Sequence, residues 1–210
     1  MSLSSPFRVR DDGEARAMIR AYPLALLAVN GPSYPVTALV PLVLSKDGEE
    51  LLGHLARAHP FAELARQGAQ AVRAVFQGPN AYISPGWYPS KAEHGRAVPT
   101  WNYLSVEVSG TLRFETNPES MVTYLELLTA QMEQGQSVPW SIDDAPAAYT
   151  QRLSRAIIGL KIEIEHLQGV RKLSQNKAAP DLAGVVQGLE ARQEPAAMAV
   201  AAEMMKERRI

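Results

Sequence analysis

The chain has 210 residues, of which 46% are hydrophobic and 20% charged, with a formal net charge of −1 and no cysteine. That excludes disulfides, thiolate chemistry and a cysteine-based zinc site, and gives no support to a whole-protein attraction to nucleic acid or anionic membrane, leaving only a local patch. The length suits one large domain or two small ones, with a core that needs no staples.

The N-terminal Met-Ser-Leu-Ser-Ser-Pro-Phe-Arg lacks the apolar core of a signal peptide. No apolar run approaches the ~18 residues of a membrane span. The expectation is a soluble, cytoplasmic protein.

Residues 11–21 read as a helix, capped by Asp11 or Asp12, with Ala15, Met18 and Ile19 as its apolar stripe. Tyr22-Pro23 ends it. Leu24 to Val29 is a continuous apolar run, which predicts a strand buried on both faces. After the turn at Asn30-Gly31-Pro32, residues 36–44 form a second strand. Asp47-Gly48 is a tight-turn pair, and residues 51–55 return as a third strand. This meander points to antiparallel β structure.

Residues 58–67 read as a short helix with Pro60 in its first turn and Gly68 as its stop. A fourth strand is expected at 71–76 and a fifth at 81–84. Next comes an aromatic, proline-rich loop. The stretch from Ala81 to Tyr103 holds Trp87 and Trp101, Tyr82, Tyr88 and Tyr103, and Pro85, Pro89 and Pro99. Each proline removes a backbone donor, which argues against an ordinary strand, while exposed rings argue against a linker. The loop therefore either plugs the end of a barrel or walls a ligand.

The longest strand is expected at 103–114, with Leu104, Val106 and Val108 on one face and Ser105, Glu107 and Ser109 on the other. Gly110 marks a bulge or a close backbone approach. Asn117-Pro118-Glu119 opens a helix to about Met132. A loop at 134–139 follows, anchored by Trp140, then a short helix from Asp143-Asp144-Ala145-Pro146 to Arg155. The last strand is expected at 157–167, a basic, polar segment at 169–177, and two helices at 181–192 and 195–209. Six or seven strands with inserted and appended helices predict a mainly β (α+β) protein: an antiparallel β-barrel with peripheral and C-terminal helices, organised as a domain of residues 1–177 and a helical arm of 178–210.

The common nucleotide loops and the nucleophile elbow are absent from the sequence, and His54, His59, His94 and His166 lack zinc-protease spacing. Two segments carry candidate chemistry. His54-Leu55-Ala56-Arg57-Ala58-His59-Pro60 lies where a strand passes into a helix, a place that favours an anion. Arg57 there is either a planar phosphate donor or half of a surface ion pair. Arg171-Lys172-Leu173-Ser174-Gln175-Asn176-Lys177 is either the polar edge of a ligand or nucleic-acid backbone site, or a solvated tail.

Taken together, four stretches resemble the PaiB-type family of FMN-binding negative transcriptional regulators: residues 53–60, 76–91, Val98-Pro99-Thr100-Trp101-Asn102-Tyr103, and Lys172-Leu173-Ser174-Gln175-Asn176-Lys177, with Pro139-Trp140 and Asp144-Ala145-Pro146 between them. The resemblance implies a split barrel like that of pyridoxamine-phosphate oxidase, a homodimer, and FMN held between subunits. It implies Arg57 as the phosphate ligand, with His54, Leu55, Ala56 and His59 lining the same pocket. Trp87, Tyr88, Trp101 and Asn102 would wall the isoalloxazine or a ligand above it, and Lys172, Ser174 and Gln175 would reach the cofactor edge or the partner subunit. This chain departs from the pattern at Ala56-Arg57-Ala58, where the oxidase has Ser-Arg-Lys, at Lys177, where many members have Arg, and at Gly86, where Ser is frequent. The alternatives are a flavin-dependent oxidoreductase using NAD(P)H, a DNA-binding regulator without flavin, and a haem-binding relative with a histidine ligand. No clear helix-turn-helix or basic excess supports direct DNA binding.

Overall fold

The computed structural model describes residues 5–207. Six antiparallel strands close a ring in the order β1-β2-β3-β6-β5-β4: β1 Leu24–Val29, β2 Val36–Leu44, β3 Glu50–Ala56, β4 Gln70–Ile83, β5 Thr100–Glu115 and β6 Ile157–Lys172. β1 closes the ring by pairing with both β2 and β4, so that Leu26 stands opposite Leu39 on one side and Val75 on the other. The helices are α1 Asp12–Ala21, α2 Ser90–His94, α3 Pro118–Met132, α4 Ala147–Ser154, α5 Ala179–Ala191 and α6 Pro195–Glu207. No helix among the described residues is long and apolar enough to cross a membrane.

The chain forms two compact units. The first comprises the stretch up to Glu14, Gln77–Val106 and the stretch from Gln168; the second comprises Ala15–Phe76 and Glu107–Leu167. The long strands β4, β5 and β6 contribute residues to both.

In the second unit, strand alternation sends Leu27, Leu42, Leu51, Leu112, Leu160 and Ile162 into the core, each fully buried. Each such side chain contributes about 1.5–3 kcal/mol through burial. α3 covers part of the outside. Its Met121 and Tyr124 bury against Val43 and Leu52, which are cross-strand partners. Asn117 starts α3 as the sequence predicts, its Oδ1 accepting the Glu119 N–H at 2.8 Å. Gly110 is a close approach: a Cβ there would lie 2.0 Å from the Glu163 carbonyl oxygen.

Several expectations need correction. β1 is not buried on both faces: Leu24 and Leu26 are 52% and 45% exposed while Ala25, Leu27 and Val29 are buried. An apolar run meets the strand template on either face, and which face is covered depends on distant elements. The expected strands 71–76 and 81–84 are one strand, β4, because the single donor missing at Pro79 does not end it. β5 begins three residues early, at Thr100, and β6 runs on to Lys172. The helix expected from residue 58 is a 3₁₀ helix over Pro60–Gln67, with His59 as its cap. Trp140 holds the loop through its backbone N–H, which donates to Glu133 Oε2 at 3.0 Å, while its ring is 45% exposed. Of the expected 195–209 helix, residues 208 and 209 lie outside the described residues.

Candidate functional site

The sequence-predicted residues fall into two groups, one in each unit. In the second unit, β3 carries His54, Leu55 and Ala56. Alternation turns Leu55 to the buried side and places His54 and Ala56 on the opposite face. His54 is half-buried across from Gly159, and Met121, Glu115 and Tyr124 fill the space over that glycine. The His54 Nδ1 is buried without a hydrogen bond, and burial pushes the imidazole below its ordinary pKa.

Arg57 follows β3 and is exposed. Its backbone N–H donates to the Ala156 carbonyl at 2.9 Å, and its Nε donates to the Arg155 carbonyl at 3.0 Å. This holds the planar guanidinium by one edge at a cavity of about 280 Å³, lined also by Thr116, Gln151, Ser154 and Arg155. The Ser154 hydroxyl already donates to the Gln151 carbonyl at 2.9 Å, so the two guanidinium groups, the Thr116 hydroxyl and the Gln151 amide form the donor set suited to a phosphate. His59 has a local task instead: its Nδ1 accepts the Phe61 N–H at 3.1 Å and caps the 3₁₀ helix.

The first unit gathers Tyr88, Asn102, Lys172 and Ser174 around a cavity of about 260 Å³, with Thr100 and Lys177. Tyr88 is 4% exposed, and its hydroxyl lies near that of Ser174 without a well-aligned hydrogen bond. Burial raises its pKa, opposed by nearby Ser174 and reinforced by Asp181, so the phenol keeps its proton. The Lys172 Nζ donates to Thr100 Oγ1 at 2.7 Å, and the Lys177 Nζ lies 5.1 Å from the centre of the Tyr88 ring. Ser174 is buried with φ of 60°, and its Oγ donates to Asn102 Oδ1 at 3.1 Å. A non-glycine residue in this left-handed region is strained, and such strain clusters at functional sites.

Three predicted residues lie off this cavity. Trp87 packs on α5: a Cβ at Gly188 would lie 2.3 Å from its ring, and one at Gly184 would lie 2.1 Å from its carbonyl oxygen. Trp101 points the opposite way from Asn102 on β5. It is half exposed, its ring edge-on to Tyr82 at 6.1 Å and its Nε1 donating to Asn80 Oδ1 at 3.1 Å. The Gln175 amide is engaged locally: Oε1 accepts the Leu173 N–H and Nε2 donates to the Arg171 carbonyl.

Sequence reasoning missed Thr116, Gln151, Ser154 and Arg155 beside Arg57, and Lys177 beside Tyr88. Lys177 was within reach, since it closes a motif already singled out. The others come from a strand end and a helix about 60 and 95 residues downstream of Arg57, with no local signal. The described residues hold no group of three or more histidines and carboxylates arranged for a metal.

The sequence model of a family described as "Putative FMN-binding domain" matches residues 1–166. An uncharacterised protein of Emericella nidulans is 34% identical over 82% of this chain and 84% of its own. The protease synthase and sporulation protein PAI 2 of Bacillus subtilis is 26% identical over 99% of this chain and 98% of its own. The fold is shared with the FAD and haem binding protein of Mycobacterium smegmatis at a TM-score of 0.62 and 16% identity, covering 84% of this chain and 78% of that one. The ring of six antiparallel strands is thus a split barrel, and the chain belongs to the FMN-binding family whose model it matches, with FMN as the cofactor that this membership assigns.

Proposed function

We propose that the chain is a homodimeric regulatory flavoprotein that holds the FMN phosphate at the Arg57 cavity. The observation that carries the reading is the donor set there: Arg57 with one edge tethered and its remaining donors in no ion pair among the described residues, facing Arg155, Gln151 and Thr116. A phosphate monoester accepts from such a fork in a bidentate manner. Tethering Nε to the Arg155 carbonyl orients the guanidinium plane in advance, which lowers the ordering cost of binding. His54, on β3 just before Arg57, is not among the residues that line this cavity. When bound, the flavin supplies one- and two-electron redox chemistry. The protein's own residues hold the anionic tail.

A regulatory role is supported by the resemblance to PaiB-type regulators and by the name of the Bacillus relative, which speaks of protease synthesis and sporulation rather than of a reaction. The homodimer is supported by the same resemblance and by the exposed apolar outer face of β1 and β2.

Titration of purified protein with FMN, followed by flavin fluorescence, tests the reading. Arg57→Ala is expected to weaken binding about 10- to 100-fold, on the order of 1.5–3 kcal/mol for a charge-assisted contact. Unchanged affinity would remove Arg57 from the phosphate. The absorption spectrum of the same sample separates flavin from haem, and NAD(P)H turnover separates a reductase from a regulator.

A further inference from the structure

The cavity of the first unit has a chemistry of its own. Its polar lining is rich in donors. The Tyr88 hydroxyl is enclosed, with the Ser174 hydroxyl beside it but no well-aligned hydrogen bond. The ammonium groups of Lys172 and Lys177 form no ion pair among the described residues. Lys172 is fixed on Thr100 at 2.7 Å, and Lys177 is stacked on the Tyr88 ring. The acid whose field reaches Lys177 is Asp181, and both its oxygens are already occupied by the Ser90 N–H at 3.1 Å and the Ser90 hydroxyl at 2.8 Å. The left-handed Ser174 reverses the chain just after β6, so that Lys172 before it and Lys177 after it reach one cavity. Asn102 holds Ser174 in that turn, with its own amide on the Met204 sulfur at 3.5 Å.

An enclosed phenol without a well-aligned acceptor, flanked by two cations in no ion pair among the described residues, suits a ligand that brings oxygen acceptors and negative charge. The volume of about 260 Å³ limits its size. At about 30 Å³ per water, this is the space of roughly eight or nine waters, enough for a small organic acid or phosphate.

We propose that this cavity binds the carboxylate or phosphate group of a small ligand other than the flavin, with Tyr88, Lys172 and Lys177 as its donors. The proposal does not rest on the FMN reading, which concerns Arg57. For a regulator, this is where an anionic signal molecule enters; for a redox enzyme, where an anionic substrate does.

The test is calorimetric titration of the full chain with inorganic phosphate and with acetate at constant ionic strength, run both without flavin and with FMN in excess. Without flavin the Arg57 cavity also competes for the anion, so the site is read with FMN in excess, where one saturable site for at least one of the two anions is expected. Tyr88→Phe removes only the hydroxyl, and Lys177→Met keeps the aliphatic stem. Each is expected to weaken the anion at least ten-fold with thermal unfolding unchanged or, for Tyr88→Phe, raised. No saturable binding of either anion, or binding that neither variant alters, overturns the proposal. Abolition by FMN of the anion binding that Tyr88→Phe and Lys177→Met weaken also overturns it, because the cavity would then be the flavin's own. Failure of Arg57→Ala to affect FMN would sink the FMN reading and leave this result standing.

Discussion

His54 couples this molecule to pH. Burial, without a hydrogen bond to its Nδ1, holds the imidazole below the ordinary value of 6.5. In the unfolded chain the same ring takes up a proton near pH 6.5. Between those two pKa values the unfolded state binds more protons than the folded one, so stability rises with pH there. His54 therefore contributes nothing against folding above about pH 7, and its penalty grows as the pH falls from about 6.5 toward the lowered folded value. Asp47 and Asp181 act elsewhere: hydrogen bonds from Ser45 and Ser90 hold their carboxyls below the ordinary 3.8, so their stabilisation is lost only in stronger acid. Urea unfolding at pH 7.5, 6.0 and 5.0 is expected to show a falling midpoint for the natural chain and a flatter one for His54→Asn. An equal slope in both would show that another group is responsible.

At the scale of elements, Arg171 ties the end of β6 to both ends of the chain. Its side chain is 13% exposed and lies 3.3 Å from Glu14, from Glu203 and from Glu207, of which Glu203 is 11% exposed. The Glu14 contact is an ion pair without good hydrogen-bond geometry, since the Arg171 Nε has no aligned acceptor. Removing Arg171 leaves Glu203 with Lys206 at 2.6 Å and Glu14 with Arg10 at 3.6 Å, so the loss stays below the about 3–5 kcal/mol of a buried pair left with no partner. Arg171→Met is expected to lower the unfolding free energy by about 1.5–3 kcal/mol, the range for hydrogen bonds to charged groups, and adding Glu203→Met to recover part of it. A single variant as stable as the natural chain would show that the cluster is solvated. This arginine also shows why part of the site was illegible in the sequence. Read locally, 169–177 is a basic, polar tail, yet its first cation turns to acids that are 157 residues before it and 32 and 36 after it. What was legible was local: the Asp47-Gly48 turn, the Asn117 cap, the alternation along β5 and the stop at Gly68. The aromatic loop was misread for a related reason. Once β4 runs to Ile83 and β5 starts at Thr100, parity alone sends Tyr82 and Trp101 to one face and Asn102 to the other. Strand ends set that parity, and pairing partners, not local propensity, set the strand ends.

At the scale of the molecule, the outer face of β1 and its neighbours predicts assembly. Leu26 stands between Leu39 and Val75 in cross-strand register, and Leu24 lies two residues away beside Pro41. Leu24, Leu26 and Leu39 are 52%, 45% and 64% exposed, so an apolar row three strands wide lies uncovered in one chain. Isolated exposed leucines are unremarkable, but a contiguous row without charge marks a surface that another protein covers. A second copy is the occupant that the family resemblance implies. A stable pairing needs about 800 Å² from each partner, so this row would form the centre of the contact with a polar rim beyond it. Sedimentation equilibrium is expected to give twice the 22.9 kDa chain mass. Leu39→Lys places a charge at the row's most exposed leucine without touching the buried face of β2, so it is expected to weaken the dimer at least ten-fold while the monomer stays folded. A monomeric natural chain would refute the assembly, and a dimer that ignores Leu39→Lys would move the contact to another face.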